Sequence, residues 1–214
     1  MSSFDKNSNL TFEVSKLKAS SETDQIMLVV SENYSSYTAR FHYYIKNKDG
    51  KWEEIINSEA HIGKNGLGKK REGDVKTPVG KYKFNYYFGM ADNPGTKMPY
   101  VKLTDSHWWN CDSNTKEYNT MIDTNEYGHN FDKSPSEHMI EHDLAYQYGM
   151  NINYNEEAIP GKGSAIFLHC FTLNPFTLGC IAIPKEDMIK AMININENCV
   201  IIIDEKKNSI FNMG

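Results

Sequence analysis

Two residues of this chain, Cys180 and His169, are of the types that nucleophilic catalysis needs. His169 ends an apolar run, residues 165–168, that is typical of a buried strand, so its ring is predicted at the mouth of a sheet. Cys180 lies between Gly179 and the apolar residues 181–183, a loop-to-strand junction that can present the sulfur. The thiolate is the nucleophile, and a free thiol has a pKa of about 8.5. A neighbouring imidazole would therefore be needed to remove the proton.

The backbone around the cysteine offers a second part of this chemistry. The N–H groups of Leu178, Gly179 and Cys180 could bind the oxyanion that develops when a carbonyl is attacked. From spacing alone, a buried structural cysteine is the commoner case, so the pair is at this point one hypothesis among several.

A zinc site is the second hypothesis. His138, Glu141 and His142 form the pattern H-x-x-E-H. On a helix, histidines four positions apart share a face and could hold zinc, with the glutamate as base. Glu186 is the candidate for a third ligand. The alternative is a surface helix with solvated side chains, which is the commoner origin of so short a pattern.

Residues 107–113 combine aromatic and polar side chains, including Trp108 and Trp109. This composition suits a groove for a saccharide or a peptide, and it suits core packing of both indoles equally well. A glycine-rich stretch, residues 63–80, indicates a loop with special backbone angles. It is not a phosphate loop, because Lys76 and Thr77 are followed by a proline and a strand-like run rather than by a helix.

Hydrophobic patterning predicts a strand-rich chain with few helices. An Asp-Gly turn at residues 49–50 predicts a hairpin. Proline near the start and acidic residues in the first turn favour the second of two helices. The predicted strands cover residues 25–30, 37–45, 52–56, 81–88, 165–168 and 199–203, and the predicted helices cover residues 136–146 and 184–194.

The composition restricts the function class. The chain has 214 residues and a formal net charge of −5, without a basic run, so nucleic acid and anionic membranes are poor partners. No apolar run approaches the length of a membrane span. We predict one domain over residues 21–214, preceded by a tail or edge segment over residues 1–20. The four cysteines form no C-x-x-C pair, which disfavours a zinc knuckle or a thioredoxin-like site.

Taken together, several blocks resemble the L,D-transpeptidase catalytic domain, also called the YkuD domain. Residues 165–169 and 177–181, which read AIFLH and TLGCI, are similar to the family's signature of a strand-end histidine followed by Ser/Thr-x-Gly-Cys. Residues 63–74 together with residues 76–80 resemble its early "GDxxTPxG" segment. Residues 95–100 and 108–119 are similar to its middle block, and residues 181–188 and 199–203 to its C-terminal helix and last strand. The resemblance covers residues 24–204.

The resemblance implies a fold and a mechanism. The fold is mainly β with about two helices, a mixed-sheet β-sandwich. In the mechanism, Cys180 attacks the L-to-D amide of a peptidoglycan stem tetrapeptide, and an amine of a neighbouring stem peptide resolves the acyl-enzyme into a 3→3 crosslink. His169 is the base, and the backbone carbonyl of Cys170 orients its ring. No cofactor and no metal are expected.

The chain departs from the family pattern in three places. Leu178 stands where many members carry histidine, Ala182 stands where many carry arginine or asparagine, and the stretch between His169 and Cys180 is shorter than in many. These departures concern acceptor recognition more than the nucleophile. Candidate substrate contacts beside the catalytic pair are Trp108, Tyr118, Asn119, His138 and Thr177.

The sequence leaves other functions open. The same nucleophile with water as acceptor would give an L,D-carboxypeptidase. A wall-binding module that keeps the fold without catalysis, and the zinc peptidase built on His138 and His142, are the remaining alternatives. Since stem peptides lie outside the membrane, we expect an exported protein of the cell wall or the extracellular space. We also expect a monomer.

Overall fold

The computed structural model describes residues 14–128 and 130–205, and this part of the chain is mostly β structure. The two α-helices are α1, Thr124–Tyr127, and α2, Lys185–Asn194. Short 3₁₀ helices cover Val14–Lys16, Lys18–Ser21, Met139–Glu141 and Ala145–Gln147. The strands are β1 Gln25–Ser31, β2 Thr38–Lys46, β3 Trp52–His61, β4 Gly80–Tyr82, β5 Phe84–Gly89, β6 Tyr100–Lys102, β7 His107–Asn110, β8 Thr120–Asp123, β9 Glu137–His138, β10 Gly149–Ile152, β11 Phe167–Cys170, β12 Ile181–Ile183 and β13 Val200–Glu205.

Ten strands form one mixed sheet in the order β4-β13-β1-β2-β3-β12-β11-β10-β5-β6. The pairs β1–β13, β11–β12 and β5–β6 are parallel, and the other pairs are antiparallel. The remaining three strands form a small sheet in the order β8-β7-β9. The candidate strand pair β11–β12 therefore lies inside the large sheet, with paired strands on both sides.

The large sheet curls around one hydrophobic core. Residues from distant strands, among them Met27, Phe41 and Leu168, belong to the same buried cluster, and α2 adds Met188 and Met192. Members of a single cluster so far apart in the strand order can meet only if the sheet bends. The predicted fold, mainly β with a mixed sheet and two helices, is confirmed.

The other face of β1 has a core of its own. Ile26 and Leu28 alternate with the residues of the main core and pack against Val14 and Leu17, as the two-residue period of a strand requires. The part of the predicted tail that the structure describes, from Val14 onward, is thus packed on the sheet. Residues 1–13 lie outside the described residues, and the division at residue 20 stays a prediction.

One predicted element is wrong. Residues 136–146 do not form an α-helix: β9 pairs with β7, and two 3₁₀ helices follow. Met139 and Tyr146, seven positions apart, both point into an aromatic core cluster. That spacing also fits a helix, so periodicity could not separate the two outcomes. The second predicted helix is confirmed as α2, with Pro184 immediately before it.

No helix within the described residues is long and apolar enough to cross a membrane.

Candidate active site

The turn that carries Cys180 is built on a glycine. Gly179 has φ +149°, and a Cβ at this position would lie 3.0 Å from Lys76 O and 3.1 Å from Ile166 Cδ1. A side chain here would press on the backbone of the glycine-rich loop, so the tight approach requires glycine. Cys180 follows directly, one residue before β12 begins.

Two threonines from different parts of the chain hold this turn. Thr77 is fully buried, and its Oγ1 donates to Gly179 O at 2.8 Å and accepts from Gly63 N at 2.8 Å. Thr177 Oγ1 donates to Cys180 O at 2.6 Å and accepts from Gly179 N at 3.1 Å. The Gly179 N–H, expected as an oxyanion donor, is therefore already bonded to a side chain. Thr177, expected at the substrate, lies in the turn as a brace.

The Cys180 thiol is half-buried and keeps its proton. Its Sγ accepts from Phe167 N at 3.3 Å and donates to Ala165 O at 3.3 Å. Burial raises its pKa to about 12, with a further contribution from the negative charge of Glu137, and these outweigh the lowering by the Phe167 N–H and Lys69. At rest the Cys180 side chain is a neutral thiol, which could act as a nucleophile only if a base removed its proton.

His169 on β11 has the tautomer that a base requires. Its Nδ1 lies 2.8 Å from Cys170 O. A carbonyl oxygen only accepts, so Nδ1 carries the hydrogen and Nε2 keeps its lone pair. Burial lowers the pKa of the imidazole to about 4, despite the hydrogen bond to Cys170. The ring is neutral near pH 7 and can take a proton.

The parallel pair β11–β12 and Tyr146 bring these two residues to one region. His169 pairs in register with Ala182, two residues beyond Cys180. The Tyr146 ring centroid lies 5.8 Å from that of His169. Burial, and then the negative charge of Glu137, raise the pKa of the Tyr146 phenol well above its usual value. Tyr146 lies beside His169 and near Cys180.

The buried ammonium group of Lys69 lies close to the same turn. The Lys69 side chain is 3% exposed, and its Nζ lies 3.1 Å from Asp74 Oδ1. The same Nζ lies 3.8 Å from the point that a Cβ on Gly179 would occupy. Its positive charge favours the Cys180 thiolate. Lys69 and Asp74 were not expected to take part in the chemistry of the site.

The candidate substrate residues divide into two groups. Trp108 and His138 stack face to face on neighbouring strands of the small sheet, with ring centroids 4.3 Å apart and an interplanar angle of 7°. Lys133 Nζ lies 4.5 Å from the Trp108 ring centroid. This partly exposed stack can still serve as a groove wall. Trp109 is fully buried in the aromatic core.

The side chains of Tyr118 and Asn119 form hydrogen bonds within the protein. Tyr118 is buried and its hydroxyl donates to Glu72 at 2.8 Å. Asn119 Oδ1 accepts from Trp109 Nε1 and Ala165 N, and its Nδ2 donates to two further carbonyl oxygens. All hydrogen-bonding groups of this amide side chain are used internally, so Asn119 positions the start of the segment leading to β11.

The H-x-x-E-H pattern does not build the expected ligand pair. Without a helix, His138 turns to Trp108 and to Glu141, 3.2 Å away, while His142 Nε2 lies 4.0 Å from Glu137 Oε2. Within residues 14–128 and 130–205, no group of three or more histidine, cysteine, aspartate or glutamate side chains is placed to hold a metal ion. All four cysteines are unpaired.

The sequence analysis missed two residues that lie near Cys180 in the structure. Glu137 and Tyr146 lie at either end of the segment misassigned as a helix, and the Tyr146 hydroxyl donates to Glu137 Oε2 at 2.6 Å. The only sequence signal was the seven-residue spacing of Met139 and Tyr146, which indicates burial and does not point to chemistry.

We compared the chain with protein-family models and with solved structures. The model of the L,D-transpeptidase catalytic domain (YkuD) matches residues 33–203. Among solved structures, a mutant of the helical cell shape determining protein Pgp2 from Campylobacter jejuni aligns with a TM-score of 0.46 and 20% identity, over 86% of this chain and 49% of that one. L,D-transpeptidase 1 from Mycobacterium tuberculosis aligns with a TM-score of 0.35 and 11% identity, over 84% of this chain and 62% of that one. The chain thus spans about half to three fifths of the length of these two proteins. No curated protein matches.

Proposed function

The chain belongs to the L,D-transpeptidase catalytic domain family, and on that premise we propose that it is a cysteine acyltransferase that forms 3→3 crosslinks between peptidoglycan stem peptides. The observation that carries the proposal is the tautomer of His169. Its Nδ1–H is held by Cys170 O, which leaves Nε2 as a base on the strand next to the one that Cys180 precedes.

The first half-reaction follows from these protonation states. As Cys180 Sγ attacks the carbonyl of the L-to-D amide, His169 Nε2 takes the thiol proton, because neither group is charged at rest. The backbone N–H groups of Leu178 and Cys180 are the proposed donors to the oxyanion. The C–N bond then breaks, the imidazolium returns the proton to the leaving amine, and a thioester on Cys180 remains.

The second half-reaction transfers the acyl group to an amine. The neutral His169 accepts a proton from the amine of a second stem peptide as its nitrogen attacks the thioester. The C–S bond breaks, the thiol recovers the proton, and the crosslinked product leaves. Water in place of the amine would give the L,D-carboxypeptidase product by the same steps.

The Trp108–His138 stack is the proposed groove wall for the peptide. We place the protein at the cell wall or outside the cell, because that is where stem peptides are found. We also expect it to act as a monomer without a cofactor.

The deciding experiment incubates the protein with disaccharide tetrapeptide muropeptides and identifies the products by mass spectrometry. A crosslinked dimer supports the transpeptidase, and a tripeptide without dimer supports the carboxypeptidase. The Cys180→Ala variant is the control, and full turnover by that variant would overturn the nucleophile assignment. Binding of muropeptides with neither product would favour the wall-binding module.

A further inference from the structure

Glu137 is an acidic side chain at the candidate active site that the proposed reaction does not yet use. It lies on β9, opposite Trp109 of β7. Its side chain is 31% exposed, yet enough protein surrounds it for burial to raise the pKa of the carboxyl group. The group is therefore surrounded by protein while part of its side chain stays open to solvent.

Tyr146 fixes Glu137 relative to the catalytic pair. The Tyr146 hydroxyl donates to Glu137 Oε2 at 2.6 Å, and the same ring packs edge-on against His169 and against Phe167, whose N–H contacts Cys180 Sγ. One aromatic ring thus connects the carboxylate to the base and to the nucleophile. The carboxylate is held in place rather than left to rotate in solvent.

The charge of Glu137 has no strong counterpart in the protein. Within the described residues, no lysine or arginine forms an ion pair with it. Its charged neighbours are His142, 4.0 Å away and 44% exposed, and Glu72, whose negative charge raises the pKa of Glu137 further. A crowded carboxylate without a cation is costly. It also acts against catalysis, because its negative charge disfavours the Cys180 thiolate.

We propose that Glu137 binds an ammonium group of the peptide substrate beside Cys180. The proposal rests on the proposed function, since stem peptides that form 3→3 crosslinks carry the amine that becomes acylated. The ammonium can belong to the donor peptide, where it would orient the scissile amide. It can instead belong to the acceptor, where it would be captured before it attacks. In either case the bound cation offsets the charge that opposes the thiolate, so the nucleophile is favoured when substrate is present.

The test compares two tetrapeptide donors that differ only in whether the side-chain amine of the third residue is free or acetylated. It measures kcat/KM for acylation with both donors and, with the free-amine peptide, the ratio of dimer to tripeptide formed. Glu137→Gln removes the charge and can still accept the Tyr146 hydrogen bond. Glu141→Gln is the matched control, because it removes an exposed carboxylate four positions away. Glu137→Asp keeps the charge, and thermal unfolding of each variant reports folding.

Each source of the ammonium predicts its own result. If the donor supplies it, the wild-type protein prefers the free-amine donor by about tenfold, and Glu137→Gln removes that preference. If the acceptor supplies it, Glu137→Gln leaves acylation unchanged and lowers the ratio of dimer to tripeptide by about tenfold. Glu137→Asp retains part of either effect, and Glu141→Gln shows neither.

The proposal would be overturned if Glu137→Gln lowered kcat/KM for acylation equally with both donors and left the ratio of dimer to tripeptide unchanged. It would also be overturned if Glu137→Gln behaved like the wild-type protein. Both results leave the acyltransferase itself intact. The proposed function fails separately, through turnover by Cys180→Ala or the absence of any acyl-enzyme in the wild-type protein.

Discussion

Burial gives Cys180 and His169 the same preference, for the uncharged form. The thiol holds its proton and the imidazole is neutral, so the proposed reaction would start from an uncharged pair. Part of this arrangement was predictable from sequence, because a strand-end histidine and a Gly-Cys junction specify their own backbone contexts. The environment of Glu137 was not predictable, because it is created by Tyr146 and by a strand pairing distant in sequence.

Replacing Cys180 tests the proposed nucleophile, on which the proposed acyl transfer depends. Cys180→Ser is expected to lower acyl transfer by at least about a thousandfold, because a serine hydroxyl is far harder to ionise than a thiol. Intact-mass analysis after incubation with a carbapenem, an acylating mimic of the donor, should show the adduct in the wild-type protein and none in the variant. Cys111→Ser is the control and should keep the adduct.

His169 should make the folded protein sensitive to mild acid. Its folded pKa of about 4 lies below the ordinary value of 6.5, so the unfolded chain binds the proton first as pH falls. The stability that depends on the neutral ring is complete above pH 6.5 and is lost as pH falls toward 4. Between pH 7 and pH 4, the wild-type protein should lose about 3 kcal/mol of unfolding free energy relative to His169→Gln.

Urea denaturation of both proteins at several pH values measures that difference. Other histidines with lowered pKa, such as His42 and His61, are common to both proteins and cancel. Parallel stability curves for the two proteins would mean that the ring is not buried in its neutral form.

At the scale of elements, the nucleophile turn depends on a loop far from it in sequence. The glycine-rich loop was correctly predicted as a region of special backbone, but its contact with Gly179 was not visible, since nothing local in Thr77 indicates a partner 102 positions away. The misassigned helix shows the same limit. Residues 136–146 satisfy local helix rules, and pairing with β7 outweighs them.

Thr77→Val tests whether the loop positions the nucleophile. The substitution keeps the shape and leaves Gly63 N and Gly179 O without the hydroxyl. We expect it to cost about 1–3 kcal/mol of unfolding free energy, because buried polar groups lose their partner. Carbapenem acylation should also become slower, measured by stopped-flow absorbance at a temperature where the variant is folded. Thr77→Ser should restore both the unfolding free energy and the acylation rate. If Thr77→Val is destabilised but is acylated at the wild-type rate, the loop does not position Cys180.

At the scale of the whole molecule, the two faces of β1 pack into two separate hydrophobic cores, and only one of them adjoins the candidate active site. The main core adjoins α2, β11 and β12, whereas the second core joins Leu17 and Val14 to the opposite face. The continuous apolar run predicted the strand, but it did not reveal which segment covers the second face of β1.

Leu17→Ala should separate these roles. Leu17 is 2% exposed, and removing its side chain is expected to cost about 2–5 kcal/mol of unfolding free energy through lost burial and a cavity. The kcat/KM for muropeptides should stay unchanged at a temperature where the variant is folded. Chemical denaturation and product analysis on the same preparation measure both. A matched fall in kcat/KM would show that the two faces are coupled.

The hydrogen bond between Thr77 and Gly179 also dictates an order of events during synthesis. Its two ends are separated by 102 positions, and closing so long a loop carries an entropic cost that only the surrounding strands can offset. A ribosome that has translated the glycine-rich loop must still deliver β10, β11 and the turn before the brace can close. The turn that carries Cys180 can therefore reach its final geometry only after most strands of the large sheet have been synthesised.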